Sequence, residues 1–149
     1  MSEEKQKIHK LDFDQDLDCL LIGILSGARD YKLCFEVNRK LGLELSRLDD
    51  LAISTGRPGS QTVHTRFESR KSGEERYFLL SNRDTDNTGS FIPEMRNVDY
   101  FMVIAGMASN FEIKNMVASI RTIEVVTGAF EINPEDLKSA ETFLCLLEN

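Results

Sequence analysis

The chain has 149 residues, of which 41% are hydrophobic and 29% are charged, and it contains three cysteines and no tryptophan. These values are typical of one globular domain with a sizeable core, so we predict a single domain over residues 1–149 and exclude an intrinsically disordered chain. The formal net charge of −7 argues against a nucleic-acid partner, because proteins bind phosphate backbones mainly through Lys and Arg.

The pattern of apolar residues and cysteines predicts a cytoplasmic protein with no membrane partner. The longest apolar runs, at 19–25 and 100–107, are much shorter than the roughly 20 residues that a membrane-spanning helix needs. No apolar signal region follows the first residues. Cys19, Cys34 and Cys145 lie far apart in apolar surroundings, which is typical of reduced thiols packed in a core.

The first third of the chain contains two predicted strands and one predicted helix. Residues 8–13 alternate between polar and apolar positions, as in a half-buried strand. The continuous apolar run at 19–25 predicts a strand that is covered on both faces. Between residues 31 and 41 the apolar side chains recur at steps of three and four, which predicts a helix, and Gly42 is a typical residue after a helix end.

The middle of the chain is predicted to consist of strands and turns. A loop and a strand are expected over residues 43–53, and the Gly and Pro residues at 56–60 predict a turn. Two β-rich runs, 62–69 and 76–81, are separated by a connection that contains glycine, which predicts a hairpin. Residues 82–90 are rich in Asp, Asn, Thr and Gly and therefore predict a loop.

The last third is predicted to hold a buried strand, a helix and two further strands. Residues 98–105 are almost continuously apolar. The sequence at 109–112 fits a capping box that would start a helix. Residues 124–132 change to a period of two, which indicates a strand, and Asn and Pro at 133–136 predict a short helical turn. The apolar run at 142–147 predicts a final strand.

The order of these elements predicts the α+β class. Two β-α-β units flank a central hairpin, so we expect a mostly antiparallel sheet with two helices on one face. A ferredoxin-like or ACT-like plait would satisfy this order, because right-handed β-α-β crossovers around antiparallel strands produce it.

One nonapeptide connects the polar loop to the most apolar strand: Ile92, Pro93, Glu94, Met95, Arg96, Asn97, Val98, Asp99 and Tyr100. Pro93 fixes its own φ and favours an extended Ile92, so this segment directs the chain into the strand that begins near Val98. Asp99 and Tyr100 are expected to point to opposite faces of that strand.

The polar groups of this nonapeptide have two competing interpretations. Asp99 and Glu94 could be held inside the fold by cations or backbone amides, since buried carboxylates need such partners. Alternatively, Glu94, Asp99 and Tyr100 could line a ligand pocket, with Arg83 or Arg96 beside them. A partner-binding surface is a third interpretation.

The nonapeptide resembles the signature of the bacterial I-P-E-x-x-x-V-D-Y family, and all six named letters match. A second stretch, from Asp30 to Asn38, is similar to a D-Y-x-L-C-x-x-x-N pattern of the same family. The two matches, together with the length, cover most of the chain. The resemblance implies a small bacterial cytosolic protein, and it carries over no catalytic residue.

Other candidate sites are weaker, so no catalytic residue, metal site or cofactor is predicted. Asp84 begins an Asx-rich stretch that resembles a calcium loop, but the twelfth position is Met95 where a bidentate Glu is required. His9 and His64 have no metal-ligand spacing, and a zinc site needs three or four ligands.

Our leading functional hypothesis is a non-enzymatic binding or regulatory module that acts through self-association, as a homodimer, or through a protein partner. Plait-type domains leave an edge strand that can pair across a two-fold axis. The alternative is a small ligand-binding protein or enzyme that uses a pocket near Glu94, Asp99 and Tyr100. The sequence does not identify its ligand. A structural subunit of a larger assembly is a further class that the sequence does not separate from the first.

Overall fold

A computed structural model of the chain describes residues 19–54, 59–70, 75–86, 89–106 and 110–148. The strand predicted at 8–13, most of the turn predicted at 56–60 and the first residue of the capping box at 109–112 lie outside the described residues.

The described residues form eight strands and three helices. The strands are β1 Cys19–Ser26, β2 Ser46–Arg47, β3 Leu51–Ser54, β4 Gln61–His64, β5 Arg66–Arg70, β6 Arg76–Ser81, β7 Tyr100–Ala105 and β8 Val126–Ile132. The helices are α1 Asp30–Leu41, α2 Asn110–Arg121 and α3 Thr142–Glu148, and two short 3-10 turns cover Pro93–Met95 and Pro134–Asp136.

Six strands form one antiparallel sheet in the order β2-β5-β6-β7-β1-β8, and β3 and β4 form a separate antiparallel pair. The predicted α+β class with a mostly antiparallel sheet is therefore confirmed. Since β7 and β8 both run antiparallel to β1, they are parallel to each other, and α2 connects them across β1. The order β6-β7-β1-β8 is compatible with a plait into which β2 to β5 are inserted.

One face of the sheet packs against α1 and α2, as predicted. Alternate residues of the central strands share one core with Leu33 and Val37 of α1 and with Ile113 and Ile120 of α2. The two helices follow from their apolar steps of three and four residues. Helix α1 ends where Gly42 adopts a left-handed φ of 67° and donates its backbone N–H to the Asn38 carbonyl.

The opposite face of the sheet packs against α3, and here the sequence-based prediction is wrong. Residues 142–148 form a helix rather than a strand. Phe143 and Leu146 are fully buried in a second core that also contains Phe101 of β7. A short apolar run cannot distinguish the two structures by periodicity alone. Within α3, the buried Phe143 and Leu146 lie three residues apart and therefore share one face of the helix.

The same misassignment affected Cys145, which was predicted to lie in the core. On the helix it points away from the sheet and is exposed, while Cys19 and Cys34 are buried as expected.

The single strand predicted at 62–69 is also corrected, because it consists of two strands in different sheets. Strand β4 pairs with β3, whereas β5 pairs with β6 in the predicted hairpin and with β2. Thr65 separates the two strands, and its carbonyl accepts a hydrogen bond from Ser81 N at 3.0 Å.

Candidate functional site

The signature nonapeptide forms a tight turn that is anchored in the second core at both ends. Ile92 and Val98 are fully buried, whereas Pro93 and Glu94 are exposed. The backbone N–H of Met95 donates to the Ile92 carbonyl at 3.0 Å, and that of Val98 donates to the Met95 carbonyl at 2.9 Å. Proline suits the first position of such a turn because it has no N–H to satisfy.

Asn82, just after β6, connects to this turn through every polar atom of its side chain. Its Nδ2 donates to the carbonyls of Met95 at 2.9 Å and Val98 at 2.8 Å, and its Oδ1 accepts from Ile92 N at 2.9 Å. Asn82 is fully buried. Sequence reasoning placed Asn82 in an ordinary polar loop. The sequence carries no signal for its role, because its partners are backbone groups 10 to 16 residues away.

The Asp99 carboxylate binds two segments of the protein. Oδ2 accepts from the backbone N–H of Ser26 at 2.8 Å, and Oδ1 lies 3.1 Å from Nη2 of Arg83. The Asp99 side chain is 20% exposed and that of Arg83 is 56% exposed, so the ion pair lies at the surface.

Tyr100 points to the opposite side of β7, into the core beneath α1 and α2. Its hydroxyl donates to the Ala28 carbonyl at 2.6 Å. Burial, with the nearby Asp30 and Asp99 carboxylates, raises the pKa of Tyr100 to about 12, so the hydroxyl keeps its proton at neutral pH.

Glu94 contacts a different region, the turn that precedes α3. Oε2 accepts from Ser139 N at 2.7 Å, and Oε1 accepts from the Ser139 hydroxyl at 2.9 Å. Partial burial alone would raise the pKa of Glu94, but hydrogen bonds from Ser139, from its own backbone N–H and from the backbone of Lys138 outweigh this effect and lower the pKa.

The structure therefore brings Asp99 and Tyr100 together at one loop and places Glu94 at another. Both Asp99 and Tyr100 bind residues 26–28, from which α1 begins. Ser26, which sequence reasoning missed, is buried there, and its hydroxyl donates to the Val125 carbonyl at 2.6 Å. The signature groups thus fix the starts of α1 and α3.

The second stretch that resembles the family pattern, from Asp30 to Asn38, fixes the other end of α1. Asn38 donates from Nδ2 to the Leu45 carbonyl at 3.0 Å and accepts from Leu45 N at 2.7 Å. The Cys34 thiol is 3.6 Å from the same carbonyl. Burial, with a smaller effect of Asp30, raises the pKa of Cys34 to about 11, so this thiol is a poor nucleophile at neutral pH.

The outward face of α1 carries two large exposed aromatic side chains, Tyr31 at 65% and Phe35 at 57% exposure. Two cations flank the Phe35 ring: Lys32 Nζ lies 5.8 Å and Arg39 Cζ lies 6.0 Å from its centroid. Glu36 pairs with both cations, at 3.7 Å and 3.8 Å. We call Tyr31, Lys32, Phe35 and Arg39 the α1 patch.

A cavity of about 210 Å³ lies between the end of α1, α2 and β6. Its lining residues are Leu41, Leu43, Tyr77, Glu112, Asn115 and Met116. The Tyr77 hydroxyl donates to Glu75 at 2.6 Å, and burial is the main cause that raises its pKa, so it is protonated at neutral pH.

His64 and Asp84, two residues considered for metal binding, hold β4 against the neighbouring loop instead. His64 is fully buried, with Nδ1 at 3.0 Å from the Ser81 carbonyl and Nε2 at 2.9 Å from the Thr62 hydroxyl. Asp84 accepts from Val63 N at 2.8 Å. Within the described ranges, no three His, Cys, Asp or Glu side chains are grouped so that they could hold a metal ion. His9 lies outside the described residues.

Comparison of the chain with protein-family models and with curated proteins gives no match. The helices in the described part of the chain include none of the length and apolarity that membrane crossing requires.

Proposed function

We propose that the protein is a non-enzymatic binding module that acts through the α1 patch on a protein partner or a second copy. The observation that carries this proposal is the exposure of Tyr31 and Phe35, one helical turn apart on one face. Exposed aromatic residues beside arginine are the side chains that most often anchor protein interfaces.

The use of the signature groups supports this proposal over an enzymatic one. Asp99, Tyr100 and Glu94 all accept or donate hydrogen bonds within the protein. The hydrogen bonds of Asp99 and Tyr100 fix the start of the helix that carries the α1 patch, which would present its aromatic side chains in one orientation. A preorganised surface loses less entropy on binding.

The alternative, a ligand pocket formed by Glu94, Asp99 and Tyr100, is less favoured. Tyr100 lies on the side of β7 that faces α1 and α2, while Glu94 binds the turn before α3 on the other side of the sheet. A shared pocket would require these groups to exchange their present partners.

Site-specific photo-crosslinking in the host cell tests the proposed function. A benzophenone amino acid at position 35 is expected to form protein adducts, whereas the same amino acid at the exposed position 96 is expected to form far fewer. Equal labelling at both positions, or no protein adduct at position 35, would contradict the proposal.

The mass of the adduct identifies the class of occupant. An adduct of twice the 16.9 kDa chain mass would indicate a second copy, and any other mass would indicate a different protein. The homodimer is tested independently by light scattering at micromolar concentration. A single 16.9 kDa species would contradict it.

We also propose that the protein is a member of the I-P-E-x-x-x-V-D-Y family and that it is cytoplasmic. The first rests on the two sequence stretches described above, and the second rests on the small number and wide spacing of the three cysteines in the sequence.

A further inference from the structure

We propose that the α1 patch binds an acidic segment of another protein that also carries apolar side chains. This inference rests on the proposed function and adds the chemistry of the partner.

The charge of α1 together with its two flanking residues, Arg29 and Gly42, is opposite to that of the remaining chain. Residues 29–42 contain four basic residues and two acidic residues, so their formal charge is +2, and the other residues therefore sum to −9 within the total of −7. A local positive surface on an acidic protein attracts acidic partners and repels proteins of the same overall charge.

The positive charge of the patch faces solvent, where a partner can reach it. The side chains of Lys32 and Arg39 are 51% and 73% exposed, whereas Glu36 between them is only 14% exposed. Their distances to Glu36, 3.7 Å and 3.8 Å, are those of weak ion pairs. A carboxylate of the partner can therefore pair with either cation without first breaking a strong internal contact.

The aromatic side chains set the second requirement for the partner. Tyr31 and Phe35 project from successive turns of the same face, so they form one apolar strip beside the cations. An apolar side chain of the partner would cover this strip, while neighbouring Asp or Glu residues would pair with Lys32 and Arg39. A purely acidic segment would leave the aromatic rings in water.

A second copy is a poorer occupant than an acidic partner. A two-fold contact through α1 would place two segments of charge +2 against each other. A head-to-tail contact with an acidic surface would avoid this repulsion but would produce open chains of molecules. The chain's own residues 11–18, which have four aspartates among Leu and Phe residues, are the other rival occupant.

Selection from a displayed library of random 12-residue peptides tests the partner chemistry, with the full chain as bait. We expect enrichment of peptides that combine Asp or Glu with Leu, Phe or Trp. The affinity of an enriched peptide, measured by fluorescence anisotropy, should fall at least tenfold for the double variant Lys32→Glu/Arg39→Glu and for Phe35→Ala. Arg96→Glu, a charge reversal at an exposed position outside α1, is the matched control and should change the affinity less than twofold. Circular dichroism verifies that each variant is folded.

Several results would overturn the inference. These are enrichment of neutral or basic peptides, no enrichment, or an equal loss of affinity for Arg96→Glu. If peptides are enriched only when Asp12, Asp14, Asp16 and Asp18 are changed to Asn, the chain's own residues 11–18 occupy the α1 patch. If sedimentation experiments show open chains of molecules, and Lys32→Glu/Arg39→Glu abolishes these chains, the α1 patch binds a second copy. The proposed function would survive that last result, because the cross-link at position 35 would still form a protein adduct.

Discussion

Asn82 and His64 are fully buried polar residues whose side chains are hydrogen-bonded to other segments of the chain. A buried polar group that loses its partner costs much more than a typical hydrogen bond contributes. The stability of the signature turn and of β4 therefore depends on these two residues, although neither belongs to the signature.

Replacement of Asn82 by Ala is expected to lower the free energy of unfolding by about 3 kcal/mol, because it removes three hydrogen bonds to the turn and leaves Ile92 N and the Val98 carbonyl without the Asn82 side chain. Urea denaturation followed by circular dichroism measures this loss. Asn97→Ala, an exposed position in the same turn, is the matched control and should cost less than about 0.5 kcal/mol. Equal losses for the two variants would disprove the role assigned to Asn82.

His64 is expected to make the protein less stable in acid. Carbonyls accept hydrogen bonds, so Nδ1 carries a proton toward Ser81, and in the neutral ring Nε2 accepts from the Thr62 hydroxyl. Burial lowers the pKa of His64 below 6.5, against smaller opposing effects of the Ser81 and Arg83 carbonyls and of Asp84. Only the unfolded chain takes up this proton just below pH 6.5, so stability should fall as the pH decreases from there toward the folded-state pKa.

NMR titration of the two histidines measures the folded-state pKa directly, and the variant His9→Gln assigns the resonances. His64→Gln should reduce the pH dependence of the free energy of unfolding between pH 7 and 5. A His64 ring that titrates at or above 6.5 would refute this prediction.

At the scale of elements, α3 and the signature turn form a layer on the side of the sheet away from α1 and α2. Phe143 of α3 has its ring centroid 5.2 Å from that of Phe91 and 5.5 Å from that of Phe101. Glu94 connects the two parts of this layer through Ser139. The layer explains why β7 is apolar on both faces.

Replacement of Phe143 by Ala is expected to lower the free energy of unfolding by about 3–5 kcal/mol, since it removes a fully buried ring from this layer. Phe35→Ala makes the same chemical change at an exposed position and should cost less than about 0.5 kcal/mol. Chemical denaturation of both variants measures the two losses in the free energy of unfolding, which are then compared. A small loss for Phe143→Ala would mean that α3 does not cover the sheet in solution.

Across the whole molecule, the two cores share the same strands. Residues of β1, β6 and β7 point alternately into one core and the other, so neither core can lose its sheet without exposing the other. This arrangement joins the layers into one structural unit.

The described fold is therefore expected to unfold in one cooperative transition. Thermal melts followed by far-ultraviolet circular dichroism and by tyrosine fluorescence should have the same midpoint, because both signals depend on the shared sheet. An earlier transition in either signal would show that one layer separates from the sheet before the rest unfolds.

Much of this fold could be predicted from the sequence, but the partners of the site residues could not. The strands at β1, β6, β7 and β8 and the helix α1 have the expected type because their apolar periods are clear. The α3 run was ambiguous, because six consecutive residues with few polar positions fit either structure. The partners of Asp99 and Tyr100 at residues 26–28 are more than 70 positions away, and no local pattern encodes them.

By itself, the sequence determined the α+β class, two helices on one face and the extended conformation of Ile92 before Pro93, because these depend on local propensity and periodicity. Only the tertiary structure decided where Glu94, Asp99 and Tyr100 make their hydrogen bonds and that Asn82 holds the turn. It also decided that Tyr31 and Phe35 of α1 are exposed. Burial and pairing depend on which distant segments meet, and the folding of the whole chain sets those contacts.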